Sequence, residues 1–210
     1  MNITTHNIND VLNLKLKDKA EFESLGLINS KYKKNILSFI DNENLITELE
    51  NNLNIKGIFV PKQISKKIKS KNIYKIIVDD PKWYFFTLYN HLTIKNNVTR
   101  KSKLSPNAII SNKASISKFN VTIGSGTIIE DGAIILNDVK IGKNCIIRAG
   151  AVIGSNGFEY KRTSKGVLSV KEDGLLELKD NVEIGSNSVI VKGFSYRNTV
   201  IGKNTKIDTL

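Results

Sequence analysis

The sequence has few of the residues that support thiol or imidazole chemistry. Its 210 residues include one cysteine, Cys145, and two histidines, His6 and His91. A single cysteine excludes an internal disulfide framework and a four-thiolate metal site. We therefore expect no metal and no cofactor. Cys145 is interpreted as a packing residue and His91 as a surface or helix-end residue.

Long apolar runs are missing as well. No stretch approaches the roughly 20 apolar residues that cross a bilayer. Residues 1–7 lack the basic start and apolar segment of a secretion signal. We expect a soluble, cytoplasmic protein with no transmembrane segment.

Acidic residues are outnumbered, with 20 Asp and Glu against 32 Lys and Arg and a net charge of +12. Apart from Tyr74, the densest basic run contains no aromatic residues that could stack on bases, so no nucleic-acid partner is expected. That run consists of Lys62, Lys66, Lys67, Lys69, Lys71 and Lys75. The charge fits a solvated surface, and the alternative is an acidic partner or a phosphorylated substrate.

A six-residue repeat extends from about Leu104 to the end of the sequence. Its apolar anchors include Ile123, Ile129, Ile135, Ile141, Ile147, Ile153, Leu178 and Ile184. Three residues after the anchors stand Gly, Asn or Asp, which tolerate the left-handed backbone of a sharp corner. Small residues follow at the next position. This pattern predicts a left-handed parallel β-helix with three short strands per turn.

Two insertions interrupt the repeat, one between Ile153 and Leu178 and one between Ile190 and Ile201. Insertions in a solenoid must leave the coil, and such loops often form binding surfaces. Aromatic and basic residues occur together in both, which favours a ligand or subunit contact. Plain loop decoration is the alternative.

Residues 1–99 lack the repeat and are predicted to form a small α/β domain. Strands are expected at residues 57–60 and 73–78. A helix is expected after the N-cap Asp80, with Phe85, Tyr89 and Leu92 on its apolar face. Residues 34–53 also look helical. The expected division is a nucleotide-binding-like domain at 1–99 and a β-helix at 100–210, with residues 95–103 as linker.

Several segments resemble the UDP-3-O-acylglucosamine N-acyltransferases, hexapeptide-repeat enzymes of lipid A assembly. Residues 154–160 are close to that family's Gly-Phe-Gly-Tyr loop, and residues 29–32 are similar to its nucleotide-binding Asn-Pro-Lys-Tyr segment. Residues 180–185, 190–202 and 206–208 also match. The resemblance assigns nucleotide binding to Asn29 and Tyr32. It assigns substrate and acyl-loop roles to Asn156, Gly157, Phe158, Tyr160, Lys192 and Asp208.

This resemblance implies a homotrimer that transfers a hydroxyacyl chain from acyl carrier protein to the 2-amine of a UDP-linked glucosamine. Acyl carrier protein is acidic, which is compatible with the net charge. A histidine is the general base in the family, and its position would lie beyond Leu210. We therefore expect a fragment or a degenerate relative of such an enzyme, with no catalytic residue of its own.

The sequence also departs from the family. Gly26 occupies the position of an aromatic residue that stacks on uracil, and Val191 and Lys192 replace an Asp-Arg pair. Fewer coils precede the aromatic loop than usual. These differences leave two other functions open: an acetyl-CoA-dependent nucleotide-sugar acetyltransferase of surface polysaccharide, and a non-catalytic trimeric scaffold or sugar-nucleotide binder.

Overall fold

The computed structural model describes residues 2–95, 98–194 and 197–209, which form two compact units. The first unit contains Met1–Asn96 and Glu159–Lys171, and the second contains Asn97–Phe158 and Glu172–Leu210. The predicted fold class is confirmed. The chain is mainly β, with a small α/β unit ahead of a left-handed parallel β-helix, hereafter the coil.

The first unit is built on a four-stranded parallel sheet. An antiparallel pair, β1 (Ile3–Thr4) and β2 (Glu21–Phe22), precedes it. The sheet follows chain order: β3 (Ser24–Leu25), β4 (Ile36–Phe39), β5 (Ile55–Val60) and β6 (Tyr74–Ile77). The helices are α1 (Thr5–Leu12), α2 (Ile46–Asn51), α3 (Lys62–Ser65) and α4 (Pro81–Lys95), and a 3₁₀ turn spans Glu43–Leu45.

The prediction for α4 is confirmed. Asp80 Oδ1 accepts the Trp83 backbone N–H at 2.9 Å, which caps the first turn. Phe85, Tyr89 and Leu92 are buried along the predicted apolar face. The strands expected near residues 57–60 and 73–78 are present as β5 and β6.

The prediction of a helix across residues 34–53 is wrong for its first half. Ile36 and Leu37 are fully buried in β4, which pairs with β3 on one side and β5 on the other. A short apolar run can serve as a central strand or as a buried helix, and sequence periodicity does not separate them. Residues 36–39 form a strand because β3 and β5 pair with β4 on its two edges.

Ser38 on β4 provides a stability test. Its side chain is fully buried, and its hydroxyl has no hydrogen-bond partner among the described residues. Because a buried unpaired hydroxyl keeps its desolvation cost, we expect Ser38→Ala to raise the free energy of unfolding by about 1 kcal/mol. Urea denaturation of the two proteins measures the difference. Asn52→Ala is the contrast: it removes a buried, fully bonded side chain and should destabilise the unit. A destabilised Ser38→Ala would contradict the expectation.

The first coil insertion contains an antiparallel hairpin, Tyr160–Thr163 paired with Gly166–Ser169. The sequence-based boundary assigned these residues to the coil region. In the structure, Glu159–Lys171 group with the first unit. The contacts responsible are long-range and polar, as described below, and no local pattern predicts them.

Three parallel sheets form the faces of the coil. The first face contains Lys103–Leu104, Val121–Ile123, Val139–Ile141, Leu176–Leu178 and Thr199–Ile201. The second face contains Ile109–Ile110, Ile128–Ile129, Ile146–Ile147, Glu183–Ile184 and Lys206–Ile207. The third contains Ser115–Ile116, Ile134–Ile135, Val152–Ser155 and Val189–Val191.

The predicted anchors form the core of the coil. Those from Ile123 to Ile153, with Leu178 and Ile184, are at most 2% exposed. The anchors nearer the two ends of the coil are only partly buried: Ile110, Ile116, Ile190, Ile201 and Ile207. Leu104 is 43% exposed, because it lies in the first strand of its face and packs against a neighbour on one side only.

Corner residues also adopt the predicted left-handed backbone. Positive φ angles occur at Gly126, Gly132, Asp138, Asn144, Gly150, Asn181, Asn187 and Asn204. Asn156 and Gly193 were predicted as corners too, but neither has a positive φ. Both lie where an insertion takes the chain out of the repeat, so no corner is needed there.

Candidate functional site

The two residues predicted to bind a nucleotide lie in the loop after β3, at the carboxyl end of the parallel sheet. Ligands of open α/β sheets bind beyond these strand ends. Tyr32 is 39% exposed, and its hydroxyl donates a hydrogen bond to the carbonyl oxygen of Leu25. This bond orients an accessible aromatic ring. Asn29, three residues earlier, is also exposed.

The side chain of Asn52 holds this loop by hydrogen bonds to its backbone. Its side-chain amide donates to the carbonyl oxygens of Ile28 and Ser30, at 2.7 Å and 2.9 Å. Asn52 is itself buried, so the bonds hold the backbone on both sides of Asn29. Sequence reasoning missed this residue, because it lies more than 20 positions away and belongs to no motif.

Gly26 lies in the same loop, where the resembling family has a ring that stacks on uracil. A Cβ atom at this position would lie 2.8 Å from Ile36 Cγ2 and 3.0 Å from Ser30 Cβ. The side chains of Ile36 and Ser30 therefore leave no room for a side chain at residue 26. A base stacked on Tyr32 would have no aromatic partner from this position.

The predicted acyl-loop residues begin where the chain leaves the coil. Gly154 has a φ of +90°, and a Cβ there would lie 2.4 Å from Val139 Cγ2, so only glycine fits. Asn156 is exposed, Gly157 is half-buried and Phe158 is 91% exposed. An aromatic side chain this accessible is available for contact with a ligand or another chain.

Tyr160 opens the hairpin and groups with the first unit, whereas Asn156, Gly157 and Phe158 group with the coil unit. Within the second insertion, Phe194 is half-buried and Arg197 is exposed. Its other aromatic residue, Tyr196, lies outside the described residues.

Lys192 forms part of a buried corner. Its side chain is 8% exposed, and Nζ lies 3.6 Å from Asp138 Oδ2. Asp138 has a φ of +63° and also accepts hydrogen bonds from the side-chain amides of Asn120 and Asn137. The lysine thus neutralises a carboxylate held at a tight turn. This geometry favours a structural role over the predicted contact with substrate.

Asp208 borders a polar cavity of about 360 Å³ on the coil. The cavity is lined by Arg148, Glu183, Gly185, Ser186, Lys206, Ile207, Asp208 and Thr209. Of these, only Asp208 was predicted as a site residue. Arg148, Glu183, Gly185 and Lys206 directly flank anchors of the repeat, a pattern that does not distinguish surface from site.

Arg148 is the central cation of this cavity. It donates to Glu183 Oε1 through Nε at 2.8 Å, and to Glu130 Oε1 through Nη1 at 2.8 Å. Lys206 lies 3.3 Å from the other oxygen of Glu183. Hydrogen bonds from Arg148 and Lys206 hold the pKa of Glu183 below its usual value. The cavity therefore presents paired charges, and an anionic ligand would have to compete with the carboxylates.

No general base emerges from the coil. Residues 97–210 contain no histidine; His6 and His91 are exposed residues of the first unit. Burial raises the pKa of the Cys145 thiol, whose sulfur lies 3.1 Å from the carbonyl oxygen of Lys179. A protonated, enclosed thiol is a poor nucleophile.

Among residues 2–95, 98–194 and 197–209, no group of three or more His, Cys, Asp or Glu side chains is arranged to hold a metal ion. No helix in the same residues combines the length and the apolar character needed to cross a membrane.

The repeats, corners and short parallel strands define a hexapeptide-repeat coil of the bacterial transferase type. The family model described as bacterial transferase hexapeptide (six repeats) matches residues 120–155. This match lies entirely in the coil and includes six of the buried anchors.

The predicted resemblance to the UDP-3-O-acylglucosamine N-acyltransferases is confirmed. The protein of that name from Azorhizobium caulinodans is 44% identical over 75 residues, which cover 36% of this chain and 21% of the relative. The one from Methylobacterium nodulans is 46% identical over 70 residues, covering 33% and 20%. The chain thus matches about a fifth of the length of these relatives.

Among solved structures, the GDP-perosamine N-acetyl transferase from Caulobacter crescentus is 15% identical. The alignment covers 80% of this chain and 70% of that one, with a TM-score of 0.17. A score this low supports no argument about function.

Proposed function

We propose that the chain carries part of an N-acyltransferase that moves a hydroxyacyl group from acyl carrier protein to the 2-amine of a UDP-3-O-acylglucosamine, as in lipid A biosynthesis. The observation that carries this proposal is the hexapeptide coil with 44% identity to an enzyme of that name. The exposed ring of Tyr32, oriented by its bond to Leu25, supports the nucleotide end of the substrate.

The chemistry requires a general base, and the resemblance implies a histidine in that role. The attacking amine must lose a proton as the amide forms, and general-base catalysis contributes about 10²–10⁴-fold to such steps. Because residues 97–210 contain no histidine, residues 1–210 provide binding elements without the imidazole that the resemblance implies. We expect nucleotide-sugar binding to be separable from turnover.

A homotrimer is part of the proposal, and two outward stripes on the coil support it. On the second face, Ile109, Ile128 and Ile146 stack in register and point away from the core, and the stripe then continues with Glu183 and Lys206. On the third face the equivalent stripe begins with Ser115 and continues with Ile134, Val152 and Val189. Ile109 is 65% exposed and Val189 is 50% exposed. The equivalent positions of the first face are mostly polar: Lys103, Thr122, Lys140, Glu177 and Val200.

Two faces that carry apolar stripes and one mostly polar face suit a ring in which each copy contributes both stripes to its neighbours. Contiguous apolar surface of this kind marks a protein contact. A heterologous contact between different faces closes into a ring when the rotation permits.

The nucleotide site is tested by Tyr32→Ala. Stacking of a base on an aromatic ring is worth about 1–3 kcal/mol, so we expect affinity for UDP-3-O-acylglucosamine to fall roughly 5- to 150-fold. Isothermal titration calorimetry measures the change. Tyr32→Phe is the matched control: it keeps the ring, loses only the bond to Leu25, and should bind nearly as well as the wild type. Equal affinity for all three proteins would overturn the assignment.

A second candidate is a non-catalytic nucleotide-sugar binder, favoured by the absence of histidine from the coil. Transfer assays with acyl carrier protein and with acetyl-CoA as donor separate the candidates. Turnover with acyl-loaded carrier protein supports the proposal, and turnover with acetyl-CoA alone supports an acetyltransferase. Binding of the sugar nucleotide without turnover from either donor supports the binder.

A further inference from the structure

The inserted hairpin of residues Glu159–Lys171 is held by helix α4 at two separate places. The turn of the hairpin meets the start of the helix, where the backbone N–H of Ser164 donates to Asp80 Oδ2 at 2.6 Å. The other oxygen of the same carboxylate caps α4 through the Trp83 N–H. Asp80 therefore uses one oxygen for the helix and one for the hairpin.

Asn90 holds the base of the hairpin, more than two helical turns from Asp80. Its Nδ2 donates to the carbonyl oxygen of Ser169 at 2.8 Å, and its Oδ1 accepts from the Lys171 N–H at 2.9 Å. An amide that is both donor and acceptor to one backbone strand fixes its register. Together the two side chains hold both ends of the hairpin.

Cations of the hairpin lie over aromatic rings of α4 between these points. Lys165 Nζ is 3.4 Å from the ring centroid of Trp83, and Lys161 Nζ is 5.1 Å from that of Phe86. Such contacts contribute modestly to stability at exposed sites. Their value here is diagnostic, because Trp83 is the only tryptophan of the sequence and reports on the hairpin next to it.

The opposite face of the hairpin is open. Tyr160 pairs with Ser169 and Arg162 with Val167, so these four side chains share one face. All four are exposed, with Tyr160 at 48% and Val167 at 70%. The face combines an aromatic ring, a guanidinium group and an apolar patch on a fixed two-stranded support.

We propose that Asp80 and Asn90 are positioning residues that fix this hairpin on α4 and thereby hold Tyr160 and Arg162 in a defined place. The coil insertion is then a structural part of the first unit. This goes beyond the proposed function and rests on it only for the substrate-loop role of Tyr160, which the resemblance implies. Neither Asp80 nor Asn90 needs to touch a ligand for the inference to hold.

The test uses the full chain with Asp80→Asn and Asn90→Ala, singly and combined. Asparagine at residue 80 can still cap α4 through its carbonyl oxygen, but its amide nitrogen cannot accept the Ser164 N–H. Hydrogen–deuterium exchange then follows the amides of the hairpin and of α4 separately. We expect hairpin exchange about tenfold faster in each single variant, and faster again in the double variant, because each loses a bond or pair of bonds that opposes opening.

Trp83 fluorescence provides the spectroscopic readout. Release of the hairpin removes the Lys165 ammonium from the ring, so the emission of the double variant should approach that of Lys165→Gln. Asp80→Glu keeps the second acceptor oxygen and should restore part of the protection. Exchange within α4 should stay unchanged in Asp80→Asn, which separates hairpin release from loss of the helix.

Three results would overturn the inference: wild-type exchange protection in the double variant, rapid hairpin exchange already in the wild type, or an unchanged Trp83 emission. UDP binding by Tyr32 is measured in parallel. Because that binding does not involve the hairpin bonds, its failure would count against the proposed function and leave the positioning roles standing.

Discussion

Ile128→Glu is expected to convert a trimer of this chain into monomers. Ile128 lies in the middle of the outward stripe on the second coil face, between Ile109 and Ile146 in register. A carboxylate there would be buried among apolar side chains of the neighbouring copy, and its two neighbours in the stripe, Ile109 and Ile146, carry no cation. Burying an unpaired charge costs several kcal/mol, and association that rests on apolar contact does not offset it. Sedimentation equilibrium or light scattering reports the mass directly.

The matched control for this experiment is Thr122→Glu. Thr122 is exposed on the polar first face, where its register partner is Lys140. The same charge placed there should leave the trimer intact. Ile134→Glu, on the other apolar face, should act like Ile128→Glu. A monomeric wild type would refute the homotrimer proposal, and a trimeric Ile128→Glu would show that the second face is not the contact.

Ile147→Ala is expected to destabilise the coil by about 2–5 kcal/mol. Ile147 is fully buried and pairs in register with Ile129 below and Ile184 above. Removing its outer carbons leaves a cavity between two turns whose backbones are fixed by ladder hydrogen bonds, so the site cannot collapse to fill it. In a solenoid each turn contacts only its neighbours, and the defect weakens both interfaces of that turn.

Two spectroscopic signals separate this effect from changes in the first unit. Trp83 lies on α4, so its fluorescence follows the first unit. Far-ultraviolet circular dichroism follows the β-rich coil as well. Ile147→Ala should lower the urea midpoint seen by circular dichroism and leave the tryptophan transition in place. Thr122→Ala, on the exposed polar face, should leave both unchanged. A tryptophan midpoint that moves in parallel would mean that the two units unfold together.

The repeat made the coil predictable because one constraint acts on every turn. Every turn needs the same three kinds of residue at the same places: an inward anchor such as Ile147, a left-handed corner such as Asn144 and a small inward residue such as Cys145. The pattern therefore appears in the sequence many times over. By the same logic, the two exits from the coil, after Ile153 and after Ile190, were visible as breaks in the period.

The first unit was less predictable. Asp80 and α4 carry a local signal, an N-cap with proline after it, and both were predicted correctly. Ile36 and Leu37 carry no such signal, since their strand exists only because β3 and β5 pair with it. Asn52, which supports the nucleotide-binding loop, was missed for the same reason: its partners Ile28 and Ser30 are distant in sequence.

The sequence alone was enough to predict the coil, its corners and the positions of its two insertions. Only a three-sided parallel helix accounts for a six-residue period with glycine or asparagine at fixed places. Tertiary structure decided what the first insertion does. Its hairpin groups with the first unit because Asp80 and Asn90 offer acceptors and a donor to backbone groups some 80 residues away. Pairings of that range depend on where the folded chain brings the two segments, and no local rule encodes them.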